Sequence, residues 1–235
     1  MATRAPHSSD WLSALPLTSC GLRLDDEAIR IAVGLRLGIN LCKPHSCRCG
    51  ANVDMRGNHG LACLYSAGRS SRHQQLNDII FRALNRASIP CCKEPCGLET
   101  TDNKRPDGLT LVPWSRGEHL LWDVTVTDTL ASSNLPFTAI TAGSAAEQRA
   151  SQKELKYNNL SDRYNFCPIA IETFGPICSK GLQFLNNLGH RLAVATGDSR
   201  ETTFLFQRLS VTIQRYNAIC ILGSFPATEY VADDD

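Results

Sequence analysis

The spacing of apolar residues along the chain changes from helix-like to strand-like and back, and it predicts the order of the elements. The first periodic stretch predicts a short helix that begins at an acidic turn near Asp25 and ends at Gly38. The positions with this spacing are Ala28, Ile29, Ala32, Val33 and Arg36. A second stripe, opened by the N-cap residues Ser70 and Ser71, predicts a helix that runs to about Ala87. Its apolar positions are Leu76, Ile79, Ile80, Ala83, Leu84 and Ala87.

Three strand-like segments follow the second helix. Residues 89–94 predict one strand, and residues 105–112 and 120–128 predict two more, joined by a connection typical of a hairpin. Along the last of these strands apolar and polar positions alternate, so one face is core and the other carries Asp123 and Thr125. The apolar positions are Leu120, Trp122, Val124 and Val126. An aspartate on the opposite face needs a partner, because an unpaired buried carboxylate is costly.

The second half of the chain predicts two helices around a further strand. A capping box, Ser144 with Glu147, begins the first of these helices. Its packing face carries Ala146, Ala150, Lys153, Lys156, Tyr157 and Leu160. Residues 166–173 predict a core strand, and Asp198 with Glu201 is the capping signature of a last long helix. Glu172, near the end of that strand, has two interpretations: a structural partner, or an accessory acid.

Two lysines on a packing face require an explanation. A lysine there needs a carboxylate or a phosphate as its partner, and Asp107 and Asp123 are the obvious carboxylates. Alternatively, Lys153 and Lys156 extend to solvent from the edge of the face. We favour the first interpretation, which predicts that the helix brings a positive charge to the two aspartates.

Composition is that of an ordinary globular protein, with 43% hydrophobic and 20% charged residues. The formal net charge of +1 gives no overall nucleic-acid signature, so phosphate binding would need a local basic surface. No run approaches the ~18 apolar residues of a membrane span, and the first residues contain no apolar signal region. We therefore expect a soluble intracellular protein whose 11 cysteines are thiols. Residues 226–235 are expected to form an acidic tail.

A glycine-punctuated segment near the N-terminus concentrates cysteines and histidines. Cys47, Cys49, His59 and Cys63 could bind one zinc ion tetrahedrally, in a structural role, because four protein ligands leave no open coordination position. Only one residue separates Cys47 from Cys49, so one of them could be replaced by a nearby residue. The candidates for that replacement are Cys42 and His45. The alternative is a set of buried thiols and a surface histidine.

Other cysteines and histidines carry weaker signals. Cys91, Cys92 and Cys96 lie close together, but neighbouring residues of a strand point to opposite faces. We therefore expect small buried residues there rather than a second metal site. His73 lies at the edge of the apolar stripe of its helix, so we expect it to be a hydrogen-bonded packing residue.

The predicted hairpin carries the second candidate metal site. Asp107 follows Pro106 at the start of one strand, where it could approach Asp123 on the next. Two carboxylates that close repel each other unless a cation lies between them. Oxygen ligands of this kind suit Mg²⁺ or Mn²⁺.

This arrangement resembles the PD-(D/E)xK nuclease superfamily. Pro106 and Asp107 match the first half of that motif, and Asp123 matches the second. Thr125 occupies the position of the lysine, and a threonine cannot offset the charge that develops on a phosphate. We infer that Lys153 or Lys156 takes over this role, and the sequence leaves the choice between them open.

The order of motifs narrows the resemblance. A Cys/His segment comes first, followed by Arg72 and His73, the Arg105–Asp107 segment, Asp123, and then Lys153, Lys156 and Tyr157. Between residues 47 and 157 the chain resembles the C-terminal zinc-knuckle and restriction-enzyme-like endonuclease region of site-specific non-LTR retrotransposons.

The resemblance implies an α/β fold: a restriction-endonuclease-like αβββαβ core with a mixed central sheet. It implies a zinc-binding module over residues 1–66 and a nuclease-like domain over residues 67–225. The activity would be Mg²⁺-dependent nicking of target DNA. The assigned catalytic residues are Asp107, Asp123, Lys153, Lys156 and Tyr157, with Tyr157 as a phosphate hydrogen-bonding group. The assigned DNA-backbone contacts are Arg69, Arg72 and Arg105.

The same resemblance suggests further partners and a location. The element's own RNA is a second candidate ligand, and such regions are part of a longer reverse-transcriptase polyprotein that acts in the nucleus. Two other functions stay open. Thr125 and the near-neutral charge suit a decayed or domesticated fragment that binds nucleic acid without cleaving it. A structural zinc-containing interaction module is the third.

Overall fold

The structure is a computed structural model that describes residues 2–98 and 105–225, so the predicted acidic tail lies outside the described residues. The helices of this part are α1 (Asp26–Leu37), α2 (His59–Ala62), α3 (Ala67–Arg86), α4 (Leu135–Thr138), α5 (Ser144–Lys156), α6 (Ser179–Thr196) and α7 (Glu201–Leu222). The strands are β1 (His45–Ser46), β2 (Asn52–Val53), β3 (Cys91–Lys93), β4 (Gly108–Ser115), β5 (Glu118–Thr127) and β6 (Tyr164–Glu172). Short 3-10 helices cover Ala2–Arg4, Asp10–Leu12, Thr18–Cys20 and Asn158–Leu160.

A four-stranded mixed sheet in the order β3-β4-β5-β6 forms the centre of the fold. β3, β4 and β5 are antiparallel neighbours, and β6 runs parallel to β5 after the crossover through α4 and α5. Arg116 and Gly117 form the tight turn between β4 and β5, with φ angles of 51° and 80°. The predicted α/β class and mixed sheet are confirmed.

β5 extends further than β4, and this difference leaves an open edge. The pairing of β4 with β5 ends where Gly108 faces Trp122, whereas β6 pairs with β5 as far as Thr127. Residues 124–127 of β5 therefore have a strand neighbour on one side only. We call residues 124–127 the open edge of β5.

The main core fills the space between one face of the sheet and α3, α6 and α7. Its buried residues include Trp122, Val124, Ile169, Leu76, Ile80, Leu84, Leu188 and Leu205. The predicted alternation along β5 is confirmed, since Leu120, Trp122 and Val124 are buried in this core. The opposite face packs against α5, where Ala146 and Ala150 lie on Ala170.

The N-terminal part of the chain packs on α7. Asp25 caps α1, because its carboxylate accepts a hydrogen bond from the Ala28 N–H at 2.7 Å, and Gly38 ends the helix in the left-handed region. These predicted ends are confirmed, but the predicted face is right only at Ala28 and Ala32. Ile29 and Val33 are exposed, because Ile31 and Leu35 form the buried stripe together with Ala28 and Ala32.

The predicted start of two helices is also wrong. α3 begins at Ala67, three residues before Ser70. α7 begins after Arg200 without a side-chain cap, because the Asp198 carboxylate accepts from the Arg200 N–H and guanidinium instead. α6 was not predicted at all, although it supplies several residues of the main core.

The predicted capping box of α5 does not form. Gly143 stands at the N-cap in the left-handed region, and Glu147 accepts hydrogen bonds from Ser179. Oε1 of the buried Glu172 instead accepts from the backbone N–H groups of Ala145 and Ala146, at 3.1 and 3.3 Å. Glu172 is thus a structural partner from the neighbouring strand. None of the helices in the described part of the chain combines the length and apolarity needed to cross a bilayer.

Candidate functional site

The hairpin of β4 and β5 brings Asp107 and Asp123 to the same region of the sheet. The Asp107 N–H donates to the Trp122 carbonyl at 3.0 Å, and Oδ2 of Asp107 accepts from the Val124 N–H at 2.6 Å. Gly108 makes this close pairing possible, because a Cβ atom there would lie only 2.0 Å from the Trp122 ring. Asp107 is therefore held beside the backbone on either side of Asp123.

Asp123 is buried and bonded through both carboxylate oxygens to residues at the end of α5. Its side chain is 5% exposed, and Oδ1 lies 2.7 Å from the Lys153 ammonium nitrogen. Oδ2 accepts a hydrogen bond from the Tyr157 hydroxyl at 2.9 Å. Tyr157 is itself 1% exposed. Its hydroxyl holds Asp123, so it does not point to solvent where the expected hydrogen bond to a phosphate would form.

The two lysines of α5 differ in position. Lys153 forms the ion pair with Asp123, whereas the Lys156 ammonium lies 4.6 Å from the centre of the Tyr157 ring. Thr125 occupies the position of the motif's lysine, two residues after Asp123 in β5, and it is buried. The positive charge beside Asp123 comes from a helix and not from the strand.

His73 and Asn77 join this site from α3, a role that was not predicted for either residue. His73 Nε2 lies 3.0 Å from Asp107 Oδ2, and its side chain is 40% exposed. Asn77 donates to the Asp107 carbonyl at 3.4 Å and accepts from the Trp122 indole at 2.8 Å. Their four-residue spacing puts both on one face of α3, which is the signal that could have identified them.

The charges of the site perturb one another. Burial raises the pKa of Asp123, and the charge of Asp107 raises it further, while Lys153 and Tyr157 act in the opposite direction. The hydrogen bond to Asp107 raises the pKa of His73. The site thus contains two carboxylates that repel each other, and a divalent cation would relieve this repulsion.

The three arginines expected to contact DNA occupy different environments. Arg105 is exposed, and its carbonyl accepts from the Tyr157 hydroxyl at 3.2 Å. Arg69 is partly exposed and donates to the Ala62 carbonyl. Arg72 is 2% exposed and donates to Asn217 of α7.

The Cys/His segment forms a second, separate cluster. The ligand atoms of Cys47, Cys49, His59 and Cys63 all lie within 4.8 Å of one another. The Cys47 and Cys63 sulfurs are 3.7 Å apart, and the Cys49 sulfur lies 3.2 Å from His59 Nε2. Sulfur atoms about 3.8 Å apart are what tetrahedral zinc with Zn–S bonds of ~2.3 Å requires. The cluster could therefore hold a structural metal ion such as zinc.

The surroundings of Cys47 and Cys49 shift the pKa values of the two thiols in opposite directions. Burial raises the pKa of Cys47, whereas the Ala51 N–H lowers the pKa of Cys49 and favours its thiolate, the form that binds metal. Neither Cys42 nor His45 belongs to this group of four ligand atoms. The Cys42 thiol donates to the Asp54 carbonyl, and His45 Nε2 bonds Ser224 while its ring stacks on Phe225.

The remaining cysteines offer no second metal site within the described residues. Cys91 and Cys92 are half-buried and Cys96 is exposed, so the expectation that all three are buried is wrong. Burial raises the pKa of Cys91 to about 11, which keeps this thiol protonated. All 11 cysteines lie in the described part of the chain and are free thiols.

Comparison with protein-family models finds no family that matches the chain, and comparison with curated proteins finds no significant match.

Proposed function

We propose that the chain is a Mg²⁺-dependent DNA endonuclease of the restriction-endonuclease-like fold, derived from a site-specific non-LTR retrotransposon, that nicks its target DNA. The observation that carries this proposal is the Lys153 ammonium 2.7 Å from Asp123, next to Asp107 on the adjoining chain segment. The order α3-β3-β4-β5-α5-β6 supports the αβββαβ core.

Asp107 and Asp123 are the residues that would hold the cation. Their oxygen donors suit Mg²⁺ or Mn²⁺, and the repulsion between them would be relieved by its charge. When bound, the ion supplies Lewis-acid stabilisation of a phosphoryl oxygen. Among the described residues no hydrogen bond reaches Oδ1 of Asp107, so this atom is available as a ligand.

The other roles in hydrolysis belong to a lysine, a tyrosine and two arginines of the chain. Hydrolysis forms a bond from a water oxygen to phosphorus and breaks a bond from phosphorus to a sugar oxygen, which takes up a proton. Lys153 orients the attacking water or stabilises the negative charge that develops on the phosphate. Tyr157 fixes the orientation of Asp123, and Arg69 and Arg105 meet the DNA backbone.

The proposal extends to the rest of the chain. The Cys/His cluster holds zinc in a structural role, and the chain acts in the nucleus as part of a longer reverse-transcriptase polyprotein. DNA is the substrate, and the element's RNA is a further ligand.

Metal-dependent nicking of supercoiled plasmid tests the proposal. Wild type should nick in Mg²⁺ or Mn²⁺, and Asp107→Ala should be at least about 100-fold slower, because a metal ligand is lost. Asp162→Ala removes an exposed carboxylate of a turn and serves as the matched control, with wild-type activity. Equal rates in wild type and Asp107→Ala would overturn the assignment.

Binding without cleavage is the second candidate, and the Asp123–Lys153 ion pair favours it, because this pair neutralises Asp123 without a cation. In that case wild type cleaves in neither metal, and Asp123→Asn binds duplex DNA as tightly as wild type.

A further inference from the structure

We call the group of Asp107, Asp123 and Lys153 the carboxylate–lysine site. A cleft beside the open edge of β5 is lined by three arginines that do not belong to this site. It has a volume of about 400 Å³ and lies between the first turns of α3 and of α5. Its polar lining includes Arg69, Arg72, Asp128, Gln148, Arg149 and Gln152. We call this space the arginine cleft.

The three guanidinium groups of the arginine cleft have no carboxylate partner. Arg69 donates to the Ala62 carbonyl at 3.2 Å, and Arg149 donates to the Gln152 amide oxygen at 2.8 Å. Within the described part of the chain, neither of them nor Arg72 forms an ion pair. Three cations that form no ion pair, placed around one cleft, favour an anionic ligand.

Arg72 at the floor of the cleft provides an independent indication. It is 2% exposed, donates to Asn217 at 2.8 Å, and its Nε atom has no hydrogen-bond partner among the described residues. Burying a guanidinium is costly unless its charge and its donors are satisfied. An anion in the cleft would compensate this buried charge.

Asp128 does not neutralise the cleft. Its Oδ1 accepts hydrogen bonds from the Leu130 N–H at 3.2 Å and the Thr173 hydroxyl at 3.0 Å, not from an arginine. Burial raises the pKa of Asp128, whereas the charges of Arg72 and Arg69 lower it. One carboxylate faces three guanidinium groups, so the net charge of the cleft lining is positive.

The arginine cleft is continuous with the surface that leads to the carboxylate–lysine site. An adjoining cleft of about 550 Å³ shares Arg69 and Arg72 with it and extends to Thr125 and His73, which contacts Asp107. From Asp123 to Thr127 the strand covers roughly 13 Å. This length corresponds to a few nucleotides, since each strand of duplex DNA carries one phosphate per ~3.4 Å of axis.

We propose that the arginine cleft binds a backbone phosphate of the nucleic-acid strand, a few nucleotides away from the phosphate at Asp107 and Asp123. This proposal rests on the proposed function, since it takes the cleaved strand as the ligand. Arg69, Arg72 and Arg149 are positioning residues: they hold the strand in register and do not touch the reacting atoms.

The first test measures binding of a short fluorescein-labelled duplex by anisotropy, without Mg²⁺ and without chelator, over a series of salt concentrations. The variant is Arg69→Gln/Arg149→Gln, because both side chains reach solvent and their loss should leave the fold intact. The matched control is Arg82→Gln, which removes an exposed arginine of α3 outside the cleft. The double variant should bind at least about 10-fold more weakly, with the slope of log affinity against log salt reduced by about two.

Two results would overturn the proposal: affinity and slope in the double variant equal to those of Arg82→Gln, or no salt-dependent binding by wild type. Arg69→Lys/Arg149→Lys retains the charge and should recover most of the affinity. An unchanged melting temperature in the double variant would exclude general unfolding as the cause of weaker binding.

Kinetics distinguish this proposal from the nuclease itself. If wild type nicks DNA, the double variant should show a raised KM with little change in kcat, and an unchanged KM would overturn the cleft proposal alone. If wild type binds through the cleft and cleaves nothing, the proposed nuclease activity fails while the phosphate site stands.

Discussion

The positive charge of the carboxylate–lysine site is the Lys153 ammonium of α5, which lies outside the strand motif. Asp123 lies in β5 with Thr125 two residues later, and only the packing of α5 against the sheet brings Lys153 to it. The sequence predicted a lysine on the packing face of α5 but could not choose between Lys153 and Lys156. The choice depends on the rotation of α5 about its axis, which distant contacts set.

Replacing Lys153 with methionine tests the energetics of this pair. Lys153→Met leaves a buried carboxylate without its cation, so the free energy of unfolding should fall by about 1–3 kcal/mol near neutral pH. Urea unfolding followed by circular dichroism measures the loss. Lys156→Met, which removes a cation over an aromatic ring, should cost less.

The loss in Lys153→Met should depend on pH in a defined direction. The pKa of Asp123 is already raised by burial and Asp107, and removing Lys153 raises it further. A carboxyl with a raised pKa in the folded state contributes stability at low pH and loses it as pH rises. The two proteins should therefore be nearly equal in acid, where Asp123 is protonated, and diverge towards neutral pH. A constant difference across this range would contradict the ion pair.

At the scale of elements, β6 controls the start of α5. Glu172 is 0% exposed, its Oε1 accepts the first free N–H groups of α5, and its Oε2 has no partner among the described residues. Burial raises the pKa of Glu172, although these two N–H groups oppose the shift. A single carboxylate thus links the parallel strand to the helix that carries Lys153.

Glu172→Gln distinguishes the effect of the hydrogen-bond acceptor at the start of α5 from the effect of the negative charge on Glu172. Glutamine keeps an oxygen acceptor for Ala145 and Ala146 but cannot ionise. Because the folded pKa of Glu172 is raised, wild type loses stability as pH rises through that pKa, and Glu172→Gln should lose less. Unfolding by urea between weakly acidic and weakly alkaline pH measures this difference.

Glu172→Ala is the control for the cap itself. It removes the acceptor and should be about 1–2 kcal/mol less stable than Glu172→Gln at every pH, because neither variant can ionise at this position. Identical pH profiles for wild type and Glu172→Gln would show that the charge on Glu172 has no effect on stability.

Local signals predicted most elements of the fold, and the errors have physical causes. The alternation along β5 and the caps of α1 gave the correct faces and ends, because those signals lie within the element. The capping box of Ser144 failed since a residue 28 positions later, Glu172, supplies the acceptor. α6 was missed although Leu185, Leu188 and Leu192 recur at helical spacing. Gly181 and Gly189, which lie in the same buried stripe, weaken that signal.

The candidate site was predicted in part for the same reason. Asp123 was identified from strand alternation, Asp107 from its position after Pro106, and the pair Lys153 and Lys156 from a helical face. All of these are local patterns. His73 and Arg149 were not assigned to the site, and the hydrogen bond from Arg72 to Asn217 was not predicted. Those positions depend on how α3 and α5 approach the open edge of β5 and on how α7 covers Arg72, which no single segment encodes.

At the scale of the whole molecule, α7 joins the two cores. Leu205 and Leu209 belong to the core under the sheet, whereas Val211 and Ile221 belong to the core that holds α1. The short helix α2, which carries His59 of the Cys/His cluster, lies against the same helix, because a Cβ atom on Gly60 would be 2.8 Å from the Cys220 carbonyl. The order of the cluster is therefore coupled to α7 and, through the Ala62–Arg69 hydrogen bond, to the arginine cleft.

Removing one cysteine of the cluster should therefore weaken distant parts of the protein. Cys63→Ser removes a ligand, so elemental analysis should show loss of one bound zinc per chain relative to wild type. The free energy of unfolding should fall by more than ~3 kcal/mol, since structural zinc contributes directly to folding. Hydrogen exchange should rise at the end of α7 near Cys220, and duplex DNA should bind more weakly although no arginine has changed.

Cys42→Ser is the matched control, because the Cys42 thiol bonds the Asp54 carbonyl outside the cluster. A serine hydroxyl can make the same hydrogen bond, so zinc content, hydrogen exchange at α7 and DNA affinity should all match wild type. Loss of zinc in Cys42→Ser, with retention in Cys63→Ser, would instead make Cys42 the fourth ligand. Zinc loss in Cys63→Ser without any change in exchange at α7 would show that the cluster folds independently of the rest of the molecule.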